Sequence, residues 1–177
     1  MHTAGVEKAE HNWPQQLYRV LRDNQVLQMS YVPDAGHTAL INLFCDDPEV
    51  DANVLTTEEE GVAIGVGAWL GGVRSVLLMQ SSGVGNCINM LSLPVLTRSP
   101  LLMLVTMRGE WNEFNPWQMP MGQATQASLE AIGVTVLRAN TAAELVEMTE
   151  QAATMAYESD QQIAILISQR LIGKKKW

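Results

Sequence analysis

Thr56-Thr57-Glu58-Glu59-Glu60-Gly61-Val62-Ala63-Ile64-Gly65-Val66-Gly67-Ala68 is the stretch that decides the reading of this chain. It follows a β-like run, Ala52 to Leu55, and places three acids at the mouth of an apolar, glycine-spaced helix. Carboxylates are favoured there because the first backbone N–H groups of a helix are unpaired and the helix dipole is positive. Gly61 and Gly65 are four apart, so they share one face and allow a very close approach. Two glycines on one face lower helix propensity. The expectation is therefore a helix packed against something large and fixed, such as a second subunit with a cofactor held between.

Outward from this stretch, helical and strand patterns alternate. Residues 12–23 read as a helix with Leu17, Val20 and Leu21 on one stripe, and residues 26–32 as a strand ending at Pro33-Asp34-Ala35-Gly36. A helix at about 37–44, a strand at 52–55 and the helix at 58–70 follow, the last stopped by Gly71-Gly72. Residues 76–79 read as a buried strand and Ser81-Ser82-Gly83-Val84-Gly85 as a turn. The helix after that turn runs to about Leu96, kinked or shortened by Pro94. An apolar strand at 101–107 leads into residues 108–124, which carry Pro116 and Pro120 without periodicity and read as a long loop. A helix at 126–132, a strand at 134–137, a helix at 142–157 with a Thr141/Glu144 capping box, and a strand at 163–168 complete the pattern.

Strands that are apolar throughout and alternate with helices predict an α/β fold: a three-layer, six-stranded, mainly parallel sheet with helices on both faces. Ligands of such sheets bind beyond the carboxyl ends of the strands. The turns at 33–37, 56–60, 80–86 and 107–118 lie at that edge and are expected to converge on one rim.

The 177 residues are read as one domain, 1–177, with residues 1–12 and 173–177 as tails. A net charge of −8 argues against nucleic acid, whose phosphates need clustered Lys and Arg; the basic run Lys174 to Lys176 reads as a solvated tail. Cys45 and Cys87 lack CxxC or Cys/His spacing, so no metal site is expected and both read as reduced core thiols. The opening residues are polar, without a signal-peptide core, and no apolar run reaches membrane-spanning length. A cytoplasmic location is expected. The ten Met and five Trp suit core filling or adaptable contact surface.

Several segments, taken in order, carry a resemblance: YVPD at 31–34, TTEEEGV at 56–62, LLMQSSGVGN at 77–86, Arg108-Gly109-Glu110, and MPMG at 119–122. Glu58 is followed by Gly61, Gly65 and Gly67, which are three, seven and nine positions later. This set resembles the pyrimidine-binding (PYR) domain of thiamine diphosphate enzymes, covering roughly residues 15 to 170. Within that group it is similar to the separate α subunit of sulfopyruvate decarboxylases and the matching half of phosphonopyruvate decarboxylases. These enzymes hold diphosphate and Mg2+ through a Gly-Asp-Gly followed by Asn-Asn on a second (PP) domain, and no Gly-Asp-Gly occurs in this sequence. The resemblance thus implies that this chain holds the pyrimidine end of thiamine diphosphate. A partner β subunit would carry the PP domain and Mg2+, in an obligate oligomer.

The resemblance makes Glu58 the activating residue, its carboxyl hydrogen-bonding the aminopyrimidine ring. Glu60 reads instead as the capping-box partner of Thr57, and Glu59 as facing solvent or a neighbouring charge. Ser82 and Gly83 fall in a segment that lies against the cofactor in the resembling enzymes, and Ser81 in the part that meets substrate. Ser81 or Ser82 serving only as an N-cap is the plain alternative. In the first rim turn the usual Asp or Ser is replaced by Ala35, leaving Asp34 or His37 as substitutes; either is equally readable as a turn former or an exposed helix start. Arg108, ending an apolar strand, is expected to pair with a substrate's anionic tail or, structurally, with Glu110. Trp111, Phe114 and Trp117 read as a lid or a partner contact.

The function so implied is the α subunit of a two-subunit 2-oxo acid decarboxylase. It would act on 3-sulfopyruvate or phosphonopyruvate to give CO2 and an aldehyde. The alternative is a non-catalytic subunit that binds cofactor or partner to stabilise or regulate the complex, which Ala35 favours. A Rossmann-like or flavodoxin-like domain fits poorly, because Gly83-Val84-Gly85 is followed by Ile88 where a dinucleotide fingerprint needs Gly or Ala.

Overall fold

A computed structural model describes residues 12–173. The tails expected at the two ends, including Lys174 to Lys176, lie largely or wholly outside the described residues. In chain order the elements are α1 (Trp13–Asp23), β1 (Val26–Tyr31), α2 (Thr38–Cys45), β2 (Asp51–Val54), α3 (Glu58–Leu70) and β3 (Arg74–Gln80). Then come α4 (Ser81–Cys87), α5 (Ser92–Thr97), β4 (Leu101–Thr106), a 3-10 turn (Pro116–Gln118), α6 (Met119–Ala131), β5 (Thr135–Ala139), α7 (Ala142–Ser159), β6 (Gln162–Ile167) and α8 (Gln169–Ile172). The strands form one sheet in the order β2-β1-β3-β4-β6-β5, and every pairing is parallel.

The apolar strands divide their side chains between the two faces with period two. Val76 and Leu78 of β3, Leu102 and Leu104 of β4, and Ile163, Ile165 and Ile167 of β6 pack with Leu17 and Leu21 of α1, Phe44 of α2 and Leu145 of α7. Leu77, Met79, Met103, Val105 and Leu166 pack on the other face with Val62 of α3, Val84 and Cys87 of α4 and Leu129 of α6. A sheet covered on both sides has no polar face, which is why these strands read as continuous apolar runs.

α3 spans the residues expected of it, and Thr141 and Glu144 form the predicted capping box of α7. Three local expectations are corrected. The Ser81–Gly85 run is not a turn: α4 starts at Ser81 directly after Gln80, and the helix breaks at residues 88–91. Pro94 accounts for the break, since it has no N–H for a continuous ladder but fits the first turn of the new helix α5. The long loop ends at Pro116, not at residue 124, because Pro116 and Pro120 each occupy the first turn of a helix where proline is tolerated. At α3, Thr57 makes no side-chain cap; Glu60 Oε2 instead accepts the Thr56 N–H at 2.9 Å.

The glycine face of α3 also departs from expectation. A Cβ at position 61 would collide with Leu77 and Leu55, and one at 65 would lie 3.0 Å from Leu101 Cδ1 and 3.2 Å from Ser75 Oγ. The two glycines therefore bring α3 onto the chain's own sheet and not onto a second subunit. Cys87 is a buried core thiol, but Cys45 is exposed at the end of α2. No helix among the described residues is long and apolar enough to cross a membrane.

Candidate active site at the carboxyl edge of the sheet

The connections leaving β1 and β3 depart to opposite sides of the sheet, so a crevice opens beyond their carboxyl ends. Glu58 enters this region because it heads the inward stripe of α3, which continues through Gly61, Val62, Gly65 and Val66, all buried. Glu58 is 8% exposed, while Glu59 and Glu60 on the other faces are exposed. Its carboxyl lies flat on α4, and a Cβ at Gly83 would fill the space that carboxyl occupies. One helical turn on, the Asn86 amide Nδ2 donates to Glu58 Oε2 at 2.8 Å. Positions 83 and 86 are three apart and share a face, so α4 presents a notch and a donor to one carboxyl. Behind them, burial pushes the Cys87 thiol up to about 12, and the charges of Glu58 and Glu59 push it the same way.

Asp34 is on the rim, but both of its carboxylate oxygens have partners. Gln80 Nε2 donates to Oδ1 at 2.9 Å and Thr106 Oγ1 to Oδ2 at 2.6 Å, which ties β1, β3 and β4 together at their ends. Ser82 Oγ extends the chain by donating to Gln80 Oε1 at 3.1 Å. His37 is neither a cleft residue nor an exposed helix start. It is fully buried, with Nε2 3.1 Å from the Leu104 carbonyl. Burial pushes its imidazole below the usual histidine value, against the opposing pull of Asp34 and of the backbone carbonyls of Leu104 and Met79. The expectation that His37 meets substrate fails because α2 rolls it under the rim and onto β4.

Arg108 is also engaged within the chain, and not with Glu110. Its Nε and a terminal nitrogen donate to Glu113 at 2.7 and 2.6 Å, a forked pair in which the Glu113 side chain is 2% exposed. The same carboxylate accepts from the N–H groups of Gly109 (3.1 Å) and Asn115 (2.9 Å) and from Gln169 Nε2 (3.0 Å). The Arg108 hydrogen bonds first, then these further donors, hold Glu113 well below the usual carboxylate range. Gly109 has φ +73°, the left-handed conformation that turns the chain back so that residue 113 reaches Arg108. Glu110 pairs with Arg138 instead. Ser81 is buried and accepts the Arg108 N–H at 3.1 Å, so it too faces inward and does not cap α4.

Of the expected site residues, then, Glu58, Ser82 and Gly83 come together on the rim. Asp34 joins them through Gln80, whereas His37, Ser81 and Arg108 are committed to internal partners. Asn86, Gln80, Thr106, Glu113 and Gln169 were not singled out from the sequence. Asn86 had a legible signal, its spacing from Gly83; the others depend on contacts between distant segments. Ser82 and Asn86 line an open groove of about 760 Å³ whose remaining walls are Pro116, Trp117, Pro120, Met121 and Ala124. Trp117 is 84% exposed beside it. The site therefore combines one acid, two neutral polar side chains and an apolar wall.

No protein-family model matches the chain. The alpha subunit of sulfopyruvate decarboxylase from Methanococcus maripaludis is 32% identical over 157 residues, covering 88% of this chain and 94% of that protein. Phosphonopyruvate decarboxylase from Streptomyces viridochromogenes is 37% identical over 102 residues, 56% of this chain and 26% of that protein. Among solved structures, 2-oxoglutarate:ferredoxin oxidoreductase from Magnetococcus marinus matches with a TM-score of 0.75 at 15% identity, over 90% of this chain and 29% of that one. A structure from Mycobacterium smegmatis, assigned to the thiamin diphosphate-dependent enzymes, matches with a TM-score of 0.66 at 16% identity, over 88% of this chain and 30% of that one. The chain thus spans less than a third of either solved structure, and at these identities the likeness is one of fold. Identity over nearly the full length of the archaeal subunit establishes more: the chain belongs to the sulfopyruvate decarboxylase alpha-subunit family.

Proposed function

We propose that this chain is the pyrimidine-side subunit of a thiamine diphosphate-dependent 2-oxo acid decarboxylase, with Glu58 as the residue that activates the cofactor. The observation that carries the reading is the seat of Glu58: a buried carboxyl on the rim, resting on a glycine where any side chain would evict it. That cradle and the apolar groove beside it suit a flat heteroaromatic ring with one polar edge. When bound, the cofactor supplies the electron sink for loss of CO2 from a 2-oxo acid. In this chain Glu58 would offer one hydrogen bond to the pyrimidine edge, Gly83 leaves room for the Glu58 carboxyl, and Ser82, Trp117 and Met121 line the approach. A partner subunit carrying the PP domain holds diphosphate and Mg2+, and the two chains form an obligate oligomer around the shared cofactor. The relatives' names support 3-sulfopyruvate or phosphonopyruvate as the substrate class, with CO2 and an aldehyde as products.

The test is Glu58→Gln in the assembled enzyme. General acid–base contributions of this kind predict a fall in turnover of roughly a hundred- to ten-thousandfold; near-normal turnover would remove the mechanism. A second reading has its own support. Ala35 offers no functional group at the rim, and His37, Ser81 and Arg108 are all engaged internally. Under it the chain binds cofactor or partner without taking part in chemistry. A partner that decarboxylates equally well without this chain would establish that second reading.

A further inference from the structure

We infer that Asn86 is a positioning residue that dictates which oxygen of Glu58 faces the cofactor as a proton donor; this rests on the activating role proposed for Glu58. A carboxyl can give its proton from either oxygen, and a side chain free to flip would present the correct one only part of the time. Asn86 removes that freedom. Its Nδ2 donates to Glu58 Oε2 at 2.8 Å, and an amide NH2 has hydrogens only to give. Oε2 is thereby fixed as an acceptor, and any proton the carboxyl carries resides on Oε1. The Glu58 side chain also packs over Gly83, whose missing Cβ leaves the space it occupies, so contact as well as the hydrogen bond restricts its movement. One helix face performs both tasks, because residues 83 and 86 lie one turn apart on α4.

A space-filling role does not account for Asn86. The residue is exposed in this chain and lines the groove together with Ser82, while the apolar residues of the same helix, Val84 and Cys87, fill the core. A polar side chain at a groove wall, spending its donor on a neighbouring carboxyl, acts on the orientation of that carboxyl.

The experiment compares wild type with Asn86→Leu, Asn86→Asp, Asn86→Ser and Glu58→Gln in the complex with the partner subunit, loaded with thiamine diphosphate and Mg2+ and without substrate. The readouts are deuterium exchange at the cofactor C2 position by NMR, cofactor affinity by tryptophan fluorescence, and the unfolding midpoint. A lost hydrogen bond to a charged or proton-sharing group predicts C2 exchange slower by roughly ten- to a hundredfold in Asn86→Leu. Cofactor affinity is expected to fall less than exchange, the midpoint to stay close to wild type, and Asn86→Ser, which keeps an O–H donor, to recover part of the exchange rate. Asn86→Asp replaces donor with acceptor and is expected to be at least as slow as Asn86→Leu. Exchange within twofold of wild type in Asn86→Leu, alongside a severe loss in Glu58→Gln, would overturn the Asn86 role and leave that of Glu58 standing. Equal losses in the Leu and Ser variants, tracking a lowered midpoint, would also overturn it. Normal exchange in Glu58→Gln would overturn both.

Discussion

Glu58 and Glu113 are two carboxyls on the same rim, both nearly buried, and they are treated in opposite ways. Glu113 receives the forked Arg108 guanidinium, two backbone N–H groups and the Gln169 amide. Glu58 has a single side-chain donor, Asn86, which itself lines the groove. A carboxylate saturated with donors has nothing left to offer a ligand and serves to fold segment 108–115 on itself and to tie it to α8. A carboxyl given one donor keeps its second oxygen for another partner. The sequence singled out Arg108 as the anion binder, yet the geometry makes it the clamp for its own loop. If the substrate has a second anionic group, its partner is to be sought outside this Arg108 pair.

The comparison sharpens if the two acids respond oppositely to substitution. Removing one member of a buried ion pair costs about 3 kcal/mol or more, so Glu113→Ala is expected to lower the urea midpoint strongly and to expose residues 109–118 to protease. Glu58→Gln is expected to leave that midpoint nearly unchanged while removing activity; a reversed pattern breaks the distinction. Gly83→Ala falls between, since overpacking costs about 1–3 kcal/mol and here displaces the Glu58 carboxyl, so both the midpoint and cofactor affinity should drop. The smallest effect is on pH. Glu113 is held below its unfolded value of about 4.3, so its contribution is fully present above that pH and is lost as pH falls towards the folded value. The stability gap between wild type and Glu113→Gln should therefore be widest near neutrality and narrow below pH 4 in urea titrations. A gap that widens on acidification would contradict the pairing.

Much of the fold was legible because period and punctuation carry it. The bounds of α3 follow from an apolar helical run between an acidic mouth and Gly71-Gly72, and the sheet follows from strands with no polar alternation. Proline misled where its position inside a helix matters: Pro120 looks like a breaker but fits the first turn of α6. The site was legible at Glu58 and Gly83, whose spacing to neighbouring glycines is a local property. It was not legible at His37 or Arg108. The burial of His37 depends on how α2 rolls against β4, and the partner of Arg108 depends on the left-handed turn at Gly109, which swaps Glu110 for Glu113. The glycines of α3 were read correctly as a close-packing face, but spacing alone does not say whether the neighbour is another subunit or the chain's own Leu77.

Gln80 closes β3 and Ser81 opens α4 with nothing between them. One residue added at that joint would rotate α4 by about 100° and carry Asn86 off the carboxyl it serves. The stretch between β4 and the 3-10 turn is held to its length in another way, because the turn at Gly109 has to return residue 113 to Arg108 and to Gln169 of α8. Insertions and deletions at either connection are therefore expected to be far more damaging than single substitutions on the exposed helix faces.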